Sequence, residues 1–237
     1  MRELLEKAGY EIVGFHEKAD VYVINTCTVT NIADRKSRQM LHRAKKLNPD
    51  AAVVAVGCYV QNRARDGSKP DDIPYADIII GNDEKTRLVE ALDEFFAKTG
   101  DGKNTGCGVL SYVERIDKNR MAEDMDVSAF GGRCRAFLKI EDGCDRYCSY
   151  CIIPYARGRV RSRSIEAIAE EARLCAQAGH REVVLVGINL SRYGSDIGCG
   201  LADAVNAASL PERIVRVRLS SLEPELLDET TVERLAA

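Results

Sequence analysis

The sequence predicts an α/β protein, with an N-terminal doubly wound parallel sheet followed by the first half of a partial (β/α) barrel. Short apolar runs alternate with amphipathic helical segments along most of the chain, which is the order expected of parallel sheets. From the strand just before a cysteine-rich loop onward, a strand followed by a helix recurs three times, and three strands are too few to close a barrel. The composition, 45% hydrophobic and 30% charged over 237 residues, is that of an ordinary globular protein.

The first half of the chain contains seven predicted elements. Each strand is a short apolar run, and each helix carries apolar residues at spacings of three and four. The helix after the first strand can be capped by Thr30 or Asn31, and it ends at Asn48-Pro49. The helices are predicted over residues 1–9, 33–47 and 84–98, and the strands over residues 21–24, 51–56, 77–80 and 109–113.

Signals of regular structure weaken between residues 99 and 133. Glycines are frequent from Gly100 to Gly108, and a charged run extends from Glu114 to Asp126. We therefore predict a first domain at residues 1–110, a linker at residues 111–133 and a second domain at residues 134–237.

The second domain is predicted to alternate between strand and helix. Gly179 ends its first helix, and Pro224 precedes its last one. Its strands end near glycines and polar residues, as in barrels whose loops after the strands carry the chemistry. The strands are predicted at residues 134–140, 182–186 and 214–219, and the helices at residues 165–178, 200–208 and 225–237.

Charge, cysteine usage and hydropathy limit the classes of function. The net charge of −3 predicts no global nucleic-acid-binding surface, so any basic surface must be local. The nine cysteines are an odd number, and no apolar signal segment opens the chain, so we expect a reducing cytoplasm. No apolar run approaches about 18 residues, so no membrane-spanning segment is expected.

The most informative stretch is a Cys-x3-Cys-x2-Cys array formed by Cys144, Cys148 and Cys151, directly after a predicted strand. Three closely spaced thiolates can bind three irons of a [4Fe–4S] cluster and leave the fourth iron open to a ligand. Structural zinc usually takes four ligands in two Cys pairs, and no second pair is visible. The spacing therefore favours an iron–sulfur cluster, with zinc or inert thiols as the alternative.

Two further cysteines follow predicted strands of the first domain. Cys27 comes shortly after the strand at residues 21–24, and Cys58 comes shortly after the strand at residues 51–56. In open parallel sheets, ligands bind at the carboxyl ends of the strands. We therefore expect both thiols at the edge of the sheet where a ligand would lie.

The motifs resemble those of the radical S-adenosylmethionine (SAM) enzymes, and within them the methylthiotransferases. Tyr150, just before the third cysteine of the array, completes the resemblance to the radical SAM signature. The motifs similar to methylthiotransferases are Asn25-Thr26-Cys27, Gly57-Cys58-Tyr59-Val60-Gln61, Pro154-Tyr155-Ala156-Arg157-Gly158 and Ser162-Arg163. Residues 28–30, 37–39, 187–194 and 218–224 most resemble the subgroup that modifies N6-threonylcarbamoyladenosine at tRNA position 37.

The resemblance implies a two-stage addition of a methylthio group to C2 of the adenine. One SAM donates a methyl group to sulfur at an auxiliary [4Fe–4S] cluster, for which Cys27 and Cys58 match two of three ligands. A second SAM is cleaved at the cluster bound by Cys144, Cys148 and Cys151, and it activates the C2–H bond. The implied partners are the anticodon loop of tRNA and an electron donor such as flavodoxin or ferredoxin.

The resemblance also suggests residues that contact SAM. Tyr150 is expected to pack beside the adenine of SAM, and Asn189 is a candidate hydrogen-bond partner, although Asn is also common in turns. Arg157 begins a run in which arginine recurs at every second residue. An extended backbone would place these arginines on one side of a strand or loop. These arginines could meet the SAM carboxylate or tRNA phosphate, or form a solvated charge run. The arginines are Arg157, Arg159, Arg161 and Arg163.

Several smaller expectations follow from position alone. The basic helix from Arg35 to Lys46 could face tRNA or simply be solvated. Cys175 is predicted to be a core residue, and His180 a surface residue.

The resemblance finally implies that parts of the enzyme are absent from this chain. The first auxiliary cysteine of the family precedes the helix predicted at residues 1–9, and further barrel strands and a substrate-binding domain follow the last helix. We therefore expect a fragment of a longer enzyme. Cys107 is expected to be a surface or lightly buried thiol, with the role of a substitute auxiliary ligand as the alternative. The alternatives are a methylthiotransferase for isopentenyladenosine-37 of tRNA or for a ribosomal protein, and an inactive iron–sulfur or SAM-binding module.

Overall fold

The computed structural model describes residues 1–65, 73–100, 108–114, 116 and 135–236, with the side chains of residues 64 and 65 left out. Most of the predicted linker at residues 111–133 lies outside the described residues, as do Cys107 and Cys134. The chain divides into two compact units. The first contains residues 1–116 and 150–157, and the second contains residues 117–149 and 158–237.

The first unit is built on a four-stranded parallel sheet with the strand order β1-β2-β3-β4. Val, Ile and Ala dominate the strands because a strand covered on both faces has no solvent side for polar residues. Every residue of β2 is buried, as expected of an interior strand. The strands are β1 (Val21–Thr26), β2 (Ala52–Gly57), β3 (Ile78–Ile80) and β4 (Leu110–Tyr112).

Helices cover both faces of this sheet, which agrees with the predicted fold class. Leu41 of one helix packs on the face formed by Val53 and Ala55, while Leu5 and Phe95 pack on the opposite face. The helices are α1 (Arg2–Lys7), α2 (Asn31–Leu47), α3 (Cys58–Arg65) and α4 (Leu88–Thr99), and a 3₁₀ turn at Lys85–Arg87 precedes α4.

The predicted N-cap of α2 is confirmed. The Thr30 hydroxyl accepts a hydrogen bond from the Ala33 N–H at 3.1 Å, which satisfies one of the free donors of the first turn. The helix α3 was not predicted, because its polar sequence from Cys58 onward resembles a loop that follows a strand. A short helix, α5 (Ile153–Ala156), also belongs to the first unit and lies against α3.

The second unit contains a three-stranded parallel sheet with the strand order β5-β8-β9. A two-residue antiparallel ribbon, which was not predicted, joins Glu141–Asp142 to Arg161–Ser162. The strands are β5 (Arg135–Lys139), β6 (Glu141–Asp142), β7 (Arg161–Ser162), β8 (Glu182–Val186) and β9 (Arg216–Leu219). The helices are α6 (Ile165–Gln177), α7 (Leu201–Ser209) and α8 (Glu229–Ala236), with 3₁₀ turns at Leu190–Arg192 and Pro224–Leu226.

The core of the second unit lies between its sheet and helices α6 and α7, where Leu138, Val183 and Ile168 are fully buried. Cys175 belongs to this core with no exposed surface, as predicted. The expectation that His180 is a surface residue was wrong, because only 8% of it is exposed. None of the helices in the described part of the chain is long and apolar enough to cross a bilayer.

Candidate functional site

The loop that carries Cys144 begins at a sharp backbone turn. Gly143 has a φ of +85°, and a Cβ at this position would lie only 2.0 Å from the carbonyl oxygen of Arg159. The Gly143 N–H donates to Asp142 Oδ1 at 2.9 Å, and the Cys144 N–H donates to the Gly158 carbonyl at 3.0 Å. Only glycine fits such a close approach, so this turn fixes where the first cysteine leaves the sheet.

The three cysteines of the array are free thiols. Cys144 is buried at 9% exposure, and Cys148 and Cys151 are half-buried. Cys144 and Cys148 belong to the second unit and Cys151 to the first. Among the described residues, no three or more His, Cys, Asp or Glu side chains form a ready metal-binding group. The fit to an iron–sulfur cluster therefore depends on the donor set, which is three thiols at short spacing.

Tyr150 lies at the surface, with 90% of its area exposed. Its packing beside the adenine of SAM stays a prediction, and the exposed ring is available for such a contact. Tyr147, within the same loop, has a φ of +49°, a left-handed conformation that is uncommon for a residue with a side chain. The loop between the second and third cysteines therefore presents an aromatic ring to solvent.

Asn189 lies three residues after β8, at the carboxyl end of the strand, as predicted. It is only 3% exposed, yet its side-chain Oδ1 and Nδ2 both lack a hydrogen-bond partner in the structure. Its backbone N–H donates to Glu141 Oε2 at 3.0 Å. The role of Asn189 toward SAM stays a prediction, and its unsatisfied amide is the kind of group that a polar ligand would satisfy.

Glu141 was not identified from the sequence, although it lies just before the cysteine array. It has no exposed surface, and its Oε2 also accepts the Ile188 N–H at 2.7 Å. Burial raises the pKa of this carboxyl to about 7, although the two backbone N–H donors favour the ionised form. Its Oε1 has no hydrogen-bond partner in the structure.

The four alternating arginines do not share one environment, so the predicted one-sided array is wrong. Arg157 is half-buried and follows α5 in the first unit, while Arg159 is exposed in the second unit. Arg161 and Arg163 are 3% and 5% exposed, and Arg163 forms a buried ion pair with Glu171. The contact of Arg157 with SAM or phosphate stays a prediction.

The two predicted auxiliary ligands leave neighbouring strands at the same edge of the first sheet. Thr26 and Gly57 are paired across β1 and β2, and Cys27 and Cys58 are the residues that follow them. Cys27 is half-buried, whereas Cys58 is 2% exposed at the start of α3. This placement agrees with the expectation that both thiols lie at the carboxyl edge of the sheet.

Hydrogen bonds hold the backbone and side chains around both thiols. The Cys27 N–H donates to Ser37 Oγ at 3.0 Å, and Asn82 Nδ2 donates to Cys58 Sγ at 3.5 Å. The Asn82 N–H donates to Gln61 Oε1 at 2.9 Å, so a residue of α3 holds the loop after β3. Asn82 was not identified from the sequence; its position directly after Gly81, at the end of a strand, was the available signal.

A cavity of about 1000 Å³ runs along the first unit. It is lined by α1, residues 10–15 and β1, and none of the predicted cluster ligands borders it. β1 is the edge strand of its sheet, so the cavity follows backbone groups that no neighbouring strand pairs within the described residues.

Two family models match the chain. The uncharacterized protein family UPF0004 matches residues 1–81, and the radical SAM superfamily matches residues 138–236. The second match contains the whole cysteine array, and the first contains Cys27 and Cys58.

Curated relatives match nearly the whole chain. A threonylcarbamoyladenosine tRNA methylthiotransferase (MtaB) of Aquifex aeolicus is 38% identical over 229 residues, which are 97% of this chain and 53% of the relative. The protein of the same name in Bacillus subtilis is 37% identical over 98% of this chain and 50% of its own length. A tRNA-2-methylthio-N(6)-dimethylallyladenosine synthase of Sulfurihydrogenibium is 31% identical over 100% of this chain and 53% of the synthase. The chain thus spans about half the length of these relatives.

A solved structure supports the fold. The radical SAM methyltransferase TsrM of Kitasatospora setae matches 99% of this chain and 48% of its own chain, with a TM-score of 0.54 and 20% identity. At this identity the likeness concerns the fold alone. The chain therefore matches UPF0004 over its first part and the radical SAM superfamily over its last part, and it is similar to methylthiotransferases along nearly its whole length.

Proposed function

We propose that this chain carries the cluster-binding part of a tRNA methylthiotransferase that modifies C2 of N6-threonylcarbamoyladenosine at position 37. The observation that carries the proposal is the Cys144, Cys148 and Cys151 array within a radical SAM domain. The substrate follows from the relatives named MtaB, which are 32% to 38% identical to this chain.

The cysteine array would bind three irons of a [4Fe–4S] cluster and leave the fourth open for the amino and carboxylate groups of SAM. When bound, this cluster supplies the electron for SAM cleavage and hence the activation of the C2–H bond. The residues of this chain would hold the cluster and orient SAM. Gly143 fixes the start of the loop, Asn189 offers a buried amide to SAM, and the exposed Tyr150 ring can close over the adenine.

The edge of the first sheet would hold the sulfur to be transferred. Cys27 and Cys58 leave adjacent strands there, and Asn82 donates to the Cys58 sulfur. Hydrogen bonds to a sulfur ligand orient it and tune a bound cluster. Two thiols of this chain are thus available as ligands of an auxiliary cluster.

The partners of this site follow from the proposed substrate. A tRNA anticodon loop presents the adenosine at position 37, and the net charge of −3 requires that contacts with its phosphates be local. Arg157 and the basic helix α2 are candidates for such contacts. An electron donor such as flavodoxin or ferredoxin would reduce the cluster, and a protein that acts on tRNA would work in the cytoplasm.

A second candidate substrate is supported by the synthases for 2-methylthio-N(6)-dimethylallyladenosine, which are 30% to 34% identical to this chain. Both candidates share the same reaction and the same cysteine array, so the difference between them lies in the substrate nucleoside. A third reading is a cluster-binding and SAM-binding module without transferase activity.

The proposal is tested with the 237-residue chain after anaerobic reconstitution with iron and sulfide. Iron and SAM cleavage are measured for the wild type, for Cys148→Ala and for the core variant Cys175→Ala as a matched control. Cys148→Ala is expected to lose SAM cleavage and about four irons per chain, while Cys175→Ala keeps both. Retained 5′-deoxyadenosine formation by Cys148→Ala would contradict the assignment of the array.

The substrate is tested separately with tRNA that carries either modified adenosine at position 37. Mass spectrometry of the digested nucleosides distinguishes the two methylthio products. Methylthiolation of N6-threonylcarbamoyladenosine supports the first candidate, and methylthiolation of the isopentenyl nucleoside supports the second. SAM cleavage without either product would identify a SAM-cleaving module instead.

A further inference from the structure

A single buried carboxylate holds the turn that follows β8. Glu141 Oε2 accepts the backbone N–H groups of Ile188 and Asn189 at 2.7 and 3.0 Å. Glu141 is 47 and 48 residues away from these partners along the chain, so the two hydrogen bonds tie β6 to the loop after β8. We call this arrangement the Glu141 clamp.

Gly187 makes the clamp possible. A Cβ on Gly187 would lie 2.6 Å from Glu141 Oε2 and 2.8 Å from Leu190 Cδ2. Both contacts are with the ends of flexible side chains, so an added methyl group would displace the carboxylate rather than the backbone. The absence of a side chain at this position is therefore what lets the carboxylate reach the two N–H groups.

The clamp ends at two buried groups that lack partners. Asn189 is 3% exposed and neither polar atom of its amide has a hydrogen-bond partner, and Glu141 Oε1 also has none. Leaving a buried polar group unsatisfied is unfavourable, so a ligand that supplies the missing partners is favoured. The amide can donate and accept, and the Glu141 Oε1 atom can accept, so together they suit a ligand with both donors and acceptors, such as an amino acid or a ribose.

We propose that Glu141 is a positioning residue that fixes the turn at residues 187–189, so that the Asn189 amide is held ready for SAM. This inference rests on the proposed function, because that function makes SAM the ligand. Glu141 acts through the backbone of Asn189, so its contribution is the orientation of the amide. A carboxyl group suits this role because one of its oxygens can accept two N–H groups within a buried site.

Two variants break the clamp in different ways, and two serve as controls. Glu141→Leu removes the acceptor, and Gly187→Ala displaces the carboxylate while keeping it. Glu141→Gln retains an acceptor oxygen. Glu182→Gln alters a carboxylate at the opposite end of β8, where it pairs with arginines at the surface.

The first measurement is amide hydrogen exchange of Ile188 and Asn189 in protein without SAM. We expect exchange at least tenfold faster in Glu141→Leu and in Gly187→Ala, with protection retained in Glu141→Gln and Glu182→Gln. The second measurement is the SAM dissociation constant of reconstituted protein by equilibrium dialysis. We expect about tenfold weaker SAM binding in the two clamp variants. This is the effect of losing one hydrogen bond between the Asn189 amide and a charged group of SAM.

The outcomes separate the clamp from the proposed function. Unchanged exchange in both clamp variants, or faster exchange with unchanged SAM affinity, would overturn the positioning role. A reconstituted wild type that binds its cluster but does not bind SAM would overturn the proposed function and the ligand with it. In that case the exchange data alone would still show whether Glu141 holds the turn. If Glu141→Leu does not fold, Gly187→Ala decides between these outcomes.

Discussion

The side-chain Nδ2 of Asn82 lies 3.5 Å from Cys58 Sγ and 2.7 Å from the carbonyl oxygen of Ala156. One buried amide thus contacts a predicted cluster ligand at the end of β2 and the backbone of α5, which follows Cys151 by a few residues. Because Asn82 is only 4% exposed, water cannot replace these contacts. Asn82 therefore supports the surroundings of both Cys58 and α5.

Replacement of Asn82 by Ala is expected to destabilise the protein. The carbonyl of Ala156 would lose its donor in a buried place, which costs about 1–3 kcal/mol. Urea unfolding of Asn82→Ala, followed by circular dichroism, measures this loss. Asn206→Ala is the matched control, because Asn206 is exposed on α7 and its replacement should leave the unfolding midpoint unchanged. An Asn82→Ala midpoint equal to that of the wild type would show that this hydrogen bond contributes nothing to stability.

Replacement of Gly143 by Ala is expected to disrupt the start of the cysteine loop. The new Cβ would meet the Arg159 carbonyl oxygen at 2.0 Å, in addition to the strain of a φ of +85°. Gly198→Ala is a matched control, since its φ is +75° but a Cβ there meets nothing within 4 Å. The control should cost only about 1–2 kcal/mol of backbone strain.

The measurements are urea unfolding and iron content after reconstitution. Gly143→Ala is expected to lose more stability than the control and to bind markedly less iron, while Gly198→Ala binds the wild-type amount. Equal effects of the two substitutions would mean that φ alone matters and that the contact with Arg159 does not.

The sequence predicted the elements whose pattern is local. The strands at residues 21–26 and 182–186 are runs of apolar residues, and α2 shows helical spacing and a Thr cap, so all three were found with accurate starts or ends. The ribbon of β6 and β7 could not be found this way. Two residues carry no periodicity, and their pairing depends on a partner about 20 residues away.

The residues of the site show the same difference between local patterns and distant partners. The cysteine array was predictable because the chemistry requires three thiols at short spacing in one loop. Glu141 and Asn82 were missed because their roles come from residues 48 and 24 positions away. Burial also explains the error about the arginines, since Arg163 is an ordinary charged residue in the sequence and becomes a buried ion-pair partner only after folding.

The buried pair of Arg163 and Glu171 provides a further prediction. Their side chains are 5% and 3% exposed, and Arg163→Met would remove the cation that pairs with the buried Glu171 carboxylate, at a cost of about 3–5 kcal/mol. Adding Glu171→Leu to the same chain removes that charge and should restore most of the stability. Urea unfolding of the two single variants and the double variant measures the coupling.

The exposed pair of Arg173 and Glu170 on the same helix is the control. Arg173→Met should leave the unfolding midpoint nearly unchanged, because solvent screens this pair. If the double variant at positions 163 and 171 is no more stable than Arg163→Met, the loss comes from packing and not from the buried charge.

The final prediction concerns the pH dependence of stability that Glu141 causes. Burial raises its folded-state pKa from 4.5 to about 7; Asp142 adds to this shift, while Lys139 and the two backbone donors oppose it. Between pH 4.5 and about pH 7, the Glu141 carboxyl is therefore protonated in the folded state and ionised in the unfolded state. The contribution of Glu141 to stability is therefore fully present below pH 4.5, declines as the pH rises, and is lost above pH 7.

The comparison is with Glu141→Gln, which cannot titrate and keeps an acceptor oxygen for the backbone. Between about pH 4.5 and pH 8, the free energy of unfolding of the wild type should fall relative to this variant by on the order of 3 kcal/mol. Urea unfolding of cluster-free protein at several pH values measures the difference. Subtracting the free energy of unfolding of the variant removes the contributions of the other titrating groups. Asp203→Asn is the control, because its carboxyl is paired with Arg234 and its pKa is lowered, so its stability difference should change only at acidic pH. A difference between wild type and Glu141→Gln that stays constant across this range would show that the Glu141 carboxyl titrates with an ordinary pKa, which requires that water reaches it in solution.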